Sequence, residues 1–263
     1  MTLEDVDLDD LKKAKRLLEN PGTAAKITHL IGRPIERGFS YLPANWNEKI
    51  GEVTHGALTK AVHAAVLTLK NEAPGKRASN FFHKAAVAAS GGVGGFFGMA
   101  ALAVELPIST TIMLRSIADI ARSEGEAITD MDAKIACIEV FALGGPEKTD
   151  DGSESGYFTV RAALARSVAK AAEFIAEKGL AEEGAPALAR LIMMVAQRFS
   201  IQVSEKAAAQ AIPAIGAAGG AIINTLFINH FQDMARGHFI VRRLERKYGK
   251  DEVRSVYLSL PSV

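Results

Sequence analysis

Two long stretches without a charged residue constrain the fold of this 263-residue chain more than any other feature. Residues 85–104 and residues 207–229 contain no Asp, Glu, Lys or Arg, and both are rich in glycine and alanine. Glycine inside a helix costs about 0.5–1 kcal/mol relative to alanine, so such helices need compensating contacts. Glycines four residues apart lie on one helix face, where another helix can approach closely. These pairs are Gly91 with Gly95, Gly94 with Gly98, and Gly216 with Gly220.

Apolar residues recur at steps of three and four along most of the remaining chain, which is the period of an amphipathic helix. Alternating strand patterns bounded by turn residues are missing. The sequence therefore predicts an all-α fold: a single compact multi-helix domain with the two glycine-rich apolar helical segments at its centre. Residues 1–22 are predicted to form an N-terminal amphipathic helix that stops at Asn20-Pro21-Gly22, and residues 23–263 the main helical domain.

Both uncharged segments reach the length of about 20 residues that a helix needs to cross a bilayer. Their composition argues against a permanent span, because the first is mostly alanine and glycine and the second contains Gln210, Pro213, Asn224 and Thr225. The composition favours a close-packed soluble core. Reversible insertion at a membrane surface is the alternative, and a constitutive span is the least favoured interpretation.

Charge and cysteine content restrict the partners and the compartment. The formal net charge is +1, which argues against a nucleic-acid-binding protein that must neutralise many phosphates. The single cysteine, Cys137, fits a reducing compartment. The acidic N-terminus lacks the basic and then apolar pattern of a signal peptide. We therefore expect a cytoplasmic protein.

No motif in the sequence names a reaction. The glycines at 91–95 follow no strand and precede no Lys-Ser/Thr pair, as a phosphate-binding loop would require. His230 and Asp233 share a helix face without a marked third metal ligand, and Cys137 lies among apolar neighbours. A Gly-x-Ser-x-Gly elbow does not occur. The sequence predicts no catalytic set, no metal and no cofactor.

Ionic side chains follow each uncharged segment at helical spacing. Glu105 ends the first segment and an Arg-Asp-Arg series follows it, while an Asp-Arg pair follows the second segment. Surface pairs of this kind contribute only about 0.2–0.5 kcal/mol each, whereas removing one partner from a buried network costs about 3–5 kcal/mol. Both alternatives stay open at this point. The candidate ligand-binding or polar-network residues are Glu105, Arg115, Asp119, Arg122, Asn224, His230, Asp233 and Arg236.

An ordered series of short motifs, spread from about residue 31 to residue 249, resembles the EcsC protein family. The motifs are Glu105-Leu106-Pro107 with Ser109-Thr110-Thr111, Arg115-Ser116-Ile117-Ala118, Gly156-Tyr157-Phe158, Pro213 to Ala221, Asn224 with Phe227, and His238-Phe239 before Arg242. The resemblance implies that residues 23–263 form an EcsC-like helical domain with no agreed catalytic motif. The family takes its name from the third gene of a bacterial operon that also encodes an ABC transporter, so the resemblance implies transporter subunits as partners.

These observations favour a membrane-associated accessory protein at the inner face of the membrane, which binds lipid or an apolar surface through its glycine-rich helices. Three basic residues of the last polar helix, Arg242, Arg243 and Arg246, are expected to meet anionic headgroups at about 1 kcal/mol each. One alternative is a membrane-proximal hydrolase that uses Glu105, His230 and Asp233 as acid–base groups. Another is a scaffold that binds proteins through helix packing.

Overall fold

The computed structural model describes residues 3–19, 26, 28–29, 36–68, 98–145, 156–178, 186–212 and 216–261. Within these ranges the chain forms nine α-helices and one 3-10 turn, Val140–Ala142, and no β-strand. This confirms the predicted all-α fold. The helices are α1 Asp5–Leu18, α2 Glu36–Phe39, α3 Trp46–Thr68, α4 Gly98–Ser123, α5 Met131–Glu139, α6 Gly156–Lys178, α7 Pro186–Ala211, α8 Gly216–Tyr248 and α9 Lys250–Ser259.

Four long helices, α3, α4, α7 and α8, form a bundle at the centre. Helix α3 packs against α4 and α7, and α8 packs against the same two helices from the other side. Two side-chain contacts show that α4 and α8 run parallel: Asn224 meets Glu105, and further along both helices Gln232 donates to Ser116 over 2.8 Å. The bundle therefore brings the starts of α4 and α8 to the same end.

Aromatic rings fill the core between these helices. Phe199, Phe227 and Phe231 are fully buried with Phe141 of the 3-10 turn, and their ring centroids lie 4.9–6.0 Å apart. Aromatic pairs at such distances contribute about 0.5–1.5 kcal/mol beyond the area that they bury. The cluster packs α7 against α8, and Phe141 packs the 3-10 turn that follows α5 against both helices.

Of the second uncharged segment, residues 207–211 end α7 and residues 216–229 open α8. Proline at 213 disfavours helix in the residue before it, and that residue, Ile212, lies outside α7. Of the first segment, residues 98–104 open α4, and the predicted contacts of Gly91, Gly94 and Gly95 lie outside the described residues. In the part of the chain that is described, no helix has the length and apolarity to cross a membrane.

Helix α1 lies antiparallel along the second half of α8. Its residues Leu11 and Ala14 are fully buried in the main core. The two backbones come close at Gly237 of α8, where an added Cβ would lie 2.5 Å from Cγ of Leu18. A side chain at position 237 would therefore push α1 away.

Candidate functional site

A buried ion pair joins α4, α7 and α8 at one end of the bundle. Lys206 Nζ lies 2.9 Å from Oε1 and 2.8 Å from Oε2 of Glu105. Asn224 Nδ2 donates to the same Oε1 over 3.2 Å. The side chain of Lys206 is 0% exposed and that of Glu105 is 5% exposed. One carboxylate thus receives hydrogen bonds from two other helices in a place that water does not reach.

The environment of Lys206 explains why it keeps this partner. Burial lowers the pKa of its ammonium group, and the charge and hydrogen bonds of Glu105 act in the opposite direction. The ring of Phe227 adds a cation–π contact, with its centroid 4.9 Å from Nζ. Since a buried charge without a partner is costly, removing either member of such a pair costs about 3–5 kcal/mol.

The positions of the two charged residues in the sequence are informative. Glu105 is the first charged residue after the first uncharged segment, and Lys206 is the last one before the second. The structure pairs these two boundary residues, and Asn224 comes from inside the second segment. Sequence analysis identified Glu105 and Asn224 but missed Lys206, although its place at the edge of an uncharged run mirrors that of Glu105.

Large apolar side chains are exposed beside this ion pair. Val104 is 69% exposed, Ile108 51% and Ile222 47%. Val104 and Ile108 are four residues apart on α4 and so lie on one face. Ile222 is two residues from Asn224 on α8, so it lies on the side of α8 that faces away from Glu105. Because Glu105 contacts Asn224, these three residues lie at the same end of the bundle. We call Val104, Ile108 and Ile222 the apolar patch.

The other predicted polar residues form local pairs further along the same two helices. Arg122 Nη2 lies 3.2 Å from Oδ1 of Asp119 on α4, and Arg236 Nη1 lies 3.8 Å from Oδ1 of Asp233 on α8. Both pairs are three residues apart in the chain. Arg115 is exposed on α4. The two pairs are therefore short-range contacts within a helix, while Glu105 and Asn224 belong to the buried cluster.

The three residues of the hydrolase alternative do not converge. His230 is fully buried and lies six residues along α8 from Asn224, which is about 9 Å of helix. Its ring faces the backbone at Gly144, where an added Cβ would lie 2.5 Å from Cε1. Burial, with a smaller effect of Lys26, lowers the pKa of His230 to about 3. Asp233 pairs with Arg236, so Glu105 has neither residue as an acid–base partner.

Cysteine and metal chemistry receive no support from the described residues. Cys137 is buried in the core, and burial raises the pKa of its thiol, which makes a thiolate nucleophile unfavourable. Among the residues that the structure describes, no group of three His, Cys, Asp or Glu side chains is arranged to hold a metal ion.

The arginines predicted to meet the membrane are paired within the protein. Arg242 contacts Glu126 over 2.9 Å and Asp132 over 2.6 Å. Arg246 also contacts Glu126, whose side chain is buried. Arg243 lies against Asp10 of α1 and 3.2 Å from Glu124. Their charge is therefore already balanced by carboxylates of the same chain.

A cleft of about 370 Å³ opens beside these arginines, at the connection between α4 and α5. Carboxylates and basic groups line it together, so the cleft has no clear preference for the charge of a ligand. The charged residues that line it are Glu126, Asp130, Asp132, Arg242, Glu245, Arg246 and Lys250.

A second buried polar cluster joins α6 to α8. The hydroxyl of Tyr157 lies 3.0 Å from Nδ1 of His238, and Arg161 forms two hydrogen bonds with Glu245, of 2.6 and 3.0 Å. Burial holds the pKa of His238 well below its usual value. It also raises the pKa of the nearby Glu139 to about 7. Tyr157 and His238 belong to the motifs of the family resemblance, and the structure shows that they contact each other.

The fold and this site define an all-α bundle protein in which a buried ion pair at one end of the bundle joins two residues that border uncharged segments. The model of the EcsC protein family matches residues 7–244. The chain therefore belongs to the EcsC protein family, as the motifs predicted, and the match includes most of α1. No match was found among curated proteins or among solved structures.

Proposed function

We propose that the protein is a membrane-associated accessory protein that binds lipid or another apolar surface through the end of the bundle where the two uncharged segments meet. The observation that carries this proposal is the apolar patch. Single exposed apolar residues are common on protein surfaces. Here, however, two branched side chains share one face of α4 and a third is exposed on α8 at the same end of the bundle, next to segments that contain no charge. Such a grouping marks a surface that binds an apolar partner.

The ion pair beside the apolar patch suggests how the patch binds. Glu105 and Lys206 neutralise each other, and the pairs Asp119–Arg122 and Asp233–Arg236 lie about 16 Å further along the two helices. Apolar contact rather than attraction to anionic headgroups should therefore provide most of the binding free energy, at about 25 cal/mol per Å² of apolar surface buried. Binding through this end should depend little on salt.

The cellular setting is part of the proposal. We place the protein at the inner face of the membrane, with lipid as its first partner and subunits of an ABC transporter as protein partners. The family's association with a transporter operon supports this setting only by analogy. In this proposal, the buried cluster of Glu105, Lys206 and Asn224 maintains the shape of the bundle end that meets the bilayer.

Cosedimentation with vesicles tests the proposal. We expect the wild-type protein to sediment with neutral phosphatidylcholine vesicles and to remain bound at high salt. Val104→Asn, Ile108→Asn and Ile222→Asn combined should abolish binding, because each removes an aliphatic side chain worth about 1.5–3 kcal/mol when fully buried. The control is Val6→Asn, because Val6 is 75% exposed on α1 at the other end of α8.

Two results would contradict the proposal. Equal binding by the triple variant and the wild type would show that the apolar patch is not the contact surface. Recovery of the wild-type protein in the supernatant with every vesicle composition would reject membrane binding and favour the protein-scaffold alternative.

A further inference from the structure

The acidic first half of α1 lies over a basic stretch of α8. Asp10 contacts Arg243, and Lys247 lies 2.7 Å from Oδ2 of Asp7 and 3.1 Å from Oε2 of Glu4. The two helices are antiparallel, so carboxylates three residues apart on α1 meet basic residues four residues apart on α8. One helix thus carries a row of negative charge that matches the positive row of the other.

Other contacts are sufficient to hold α1 in place. Leu11 and Ala14 are fully buried, and Leu18 packs at Gly237. Lys15 donates to the carbonyl oxygens of Tyr257 and Leu260, at 3.1 and 2.7 Å, and so ties α1 to the end of α9. The carboxylates of Glu4 and Asp10 are more exposed than these anchors. Their main effect is therefore on the charge that α8 presents, and only secondarily on docking.

The pKa shifts of two paired residues agree with direct contact between the carboxylates of α1 and the basic residues of α8. Hydrogen bonds from Lys247 and Tyr248 hold the pKa of Asp7 below its usual value. Hydrogen bonding to Asp7 raises the pKa of Lys247. Arg243, Arg246 and Lys247 are separated by three and one residues, so they share one side of α8. Each side chain is partly exposed, which leaves its charge near the surface.

We propose that Arg243, Arg246 and Lys247 form a binding face for anionic phospholipid headgroups, and that carboxylates of α1 mask part of it. Helix α1 covers Arg243 and Lys247, whereas Arg246 contacts Glu126 instead. The apolar patch lies about 30 Å away, because Ile222 and Arg243 are 21 residues apart on one helix. The masked face and the apolar patch can therefore bind independently of each other. A face of three basic residues suits a sheet of headgroups better than a nucleic acid, which needs many phosphate contacts for comparable affinity.

Two double variants of the full chain test the masking. Glu4→Gln with Asp10→Asn removes carboxylates that contact the basic face. Asp5→Asn with Asp9→Asn makes the same change in net charge on the same helix, but Asp9 contacts Lys12 and both residues are exposed. Sedimentation is measured with phosphatidylglycerol vesicles at low salt, and circular dichroism checks that each variant keeps the wild-type helix content.

We expect the Glu4/Asp10 variant to bind phosphatidylglycerol vesicles more tightly than the wild type, by at most about fivefold for each carboxylate removed. The gain is limited because Asp7 still contacts Lys247 and Glu124 still contacts Arg243. High salt should remove the gain, and the Asp5/Asp9 variant should show much less of it. An equal gain in both variants would overturn the proposal, since net charge alone would then explain it. No gain in a folded Glu4/Asp10 variant, or a gain that is the same with phosphatidylcholine vesicles, would also overturn it. Neither outcome depends on whether the apolar patch binds membranes.

Discussion

Ion pairs lie beside both ends of α8, but they differ in almost every respect. Near its start, Lys206 of α7 and Glu105 of α4 meet where neither side chain is more than 5% exposed. Near its end, Arg243 and Lys247 of α8 meet carboxylates of α1 at a surface where all partners except Asp7 are at least partly exposed to solvent. The first kind of pair is costly to break because a desolvated charge remains. The second contributes about 0–1 kcal/mol because water and salt screen it.

This difference suggests different roles for the two ends. The buried pair determines how α4, α7 and α8 fit together beside the apolar patch. The exposed pairs contribute little to the fold and mainly set the charge that α8 presents to its surroundings. The comparison therefore separates a structural ion pair from pairs that, in the proposal above, mask a basic surface.

The largest effect should come from breaking the buried pair. Lys206→Met leaves the carboxylate of Glu105 buried without its cation, and we expect a loss of about 3–5 kcal/mol in the free energy of unfolding. Urea denaturation measures this. In the double variant Lys206→Met with Glu105→Gln, no charge remains to be buried, so most of the stability should return. Losses that simply add in the double variant would show that the pair is not coupled.

Lowering the pH should destabilise the folded chain through two buried histidines of α8. His230 and His238 are neutral in the folded chain, whereas in the unfolded chain they bind a proton below pH ~6.5. Each should therefore reduce stability by about 1.4 kcal/mol per pH unit as the pH falls below 6.5.

Glu139 should oppose this loss between pH 7 and pH 4.5. Its pKa is raised from 4.5 to about 7, because burial favours the protonated carboxyl group in the folded chain. The stability that this preference adds is full below pH 4.5 and disappears as the pH rises to 7. The net loss should then be shallow down to pH 4.5 and steeper below it. In the Glu139→Gln variant, the free energy of unfolding should fall as steeply above pH 4.5 as below it. Urea titrations at a series of pH values measure this. An unchanged pH profile in that variant would contradict the assignment.

Replacing glycine with alanine should have opposite effects on stability at two positions, one packed between α8 and α1 and one open to solvent on α3. Both effects should be smaller than that of breaking the buried pair. Gly237→Ala places a Cβ against Leu18 and should cost about 1–3 kcal/mol through overpacking. Gly56→Ala on α3 meets nothing within 4 Å and should stabilise the helix by about 0.5–1 kcal/mol. Thermal midpoints that move in the same direction for both variants would show that close approach at Gly237 is not important.

The smallest effect should come from the exposed pairs. Asp10→Asn removes a partner of Arg243 at the surface, and the free energy of unfolding should fall by less than about 1 kcal/mol. The effect should also shrink as salt is added, because salt screens exposed charges. A loss as large as that of Lys206→Met would mean that the two kinds of ion pair do not differ.

The sequence predicted the fold class because helix periodicity and punctuation are local signals. The stop predicted at Asn20-Pro21-Gly22 is an example, since α1 ends at Leu18 with Glu19 as its C-cap.

The site was only partly predictable because its contacts are long-range. Glu105 and Lys206 are 101 residues apart, and nothing local to either one indicates the other. The basic residues at the end of α8 showed the opposite difficulty. Their charge was visible in the sequence, but the carboxylates of α1 that balance it come from more than 230 residues away.

Depth-resolved fluorescence tests the central claim, that the apolar patch rather than the masked basic end of α8 meets a neutral membrane. Cys137 is buried, so a probe can be attached to a cysteine introduced at Ile108→Cys or, for comparison, at Lys250→Cys. With neutral vesicles that contain a nitroxide-labelled lipid, the probe at 108 should be quenched and the probe at 250 should not. Quenching at position 250 without quenching at 108 would contradict the account.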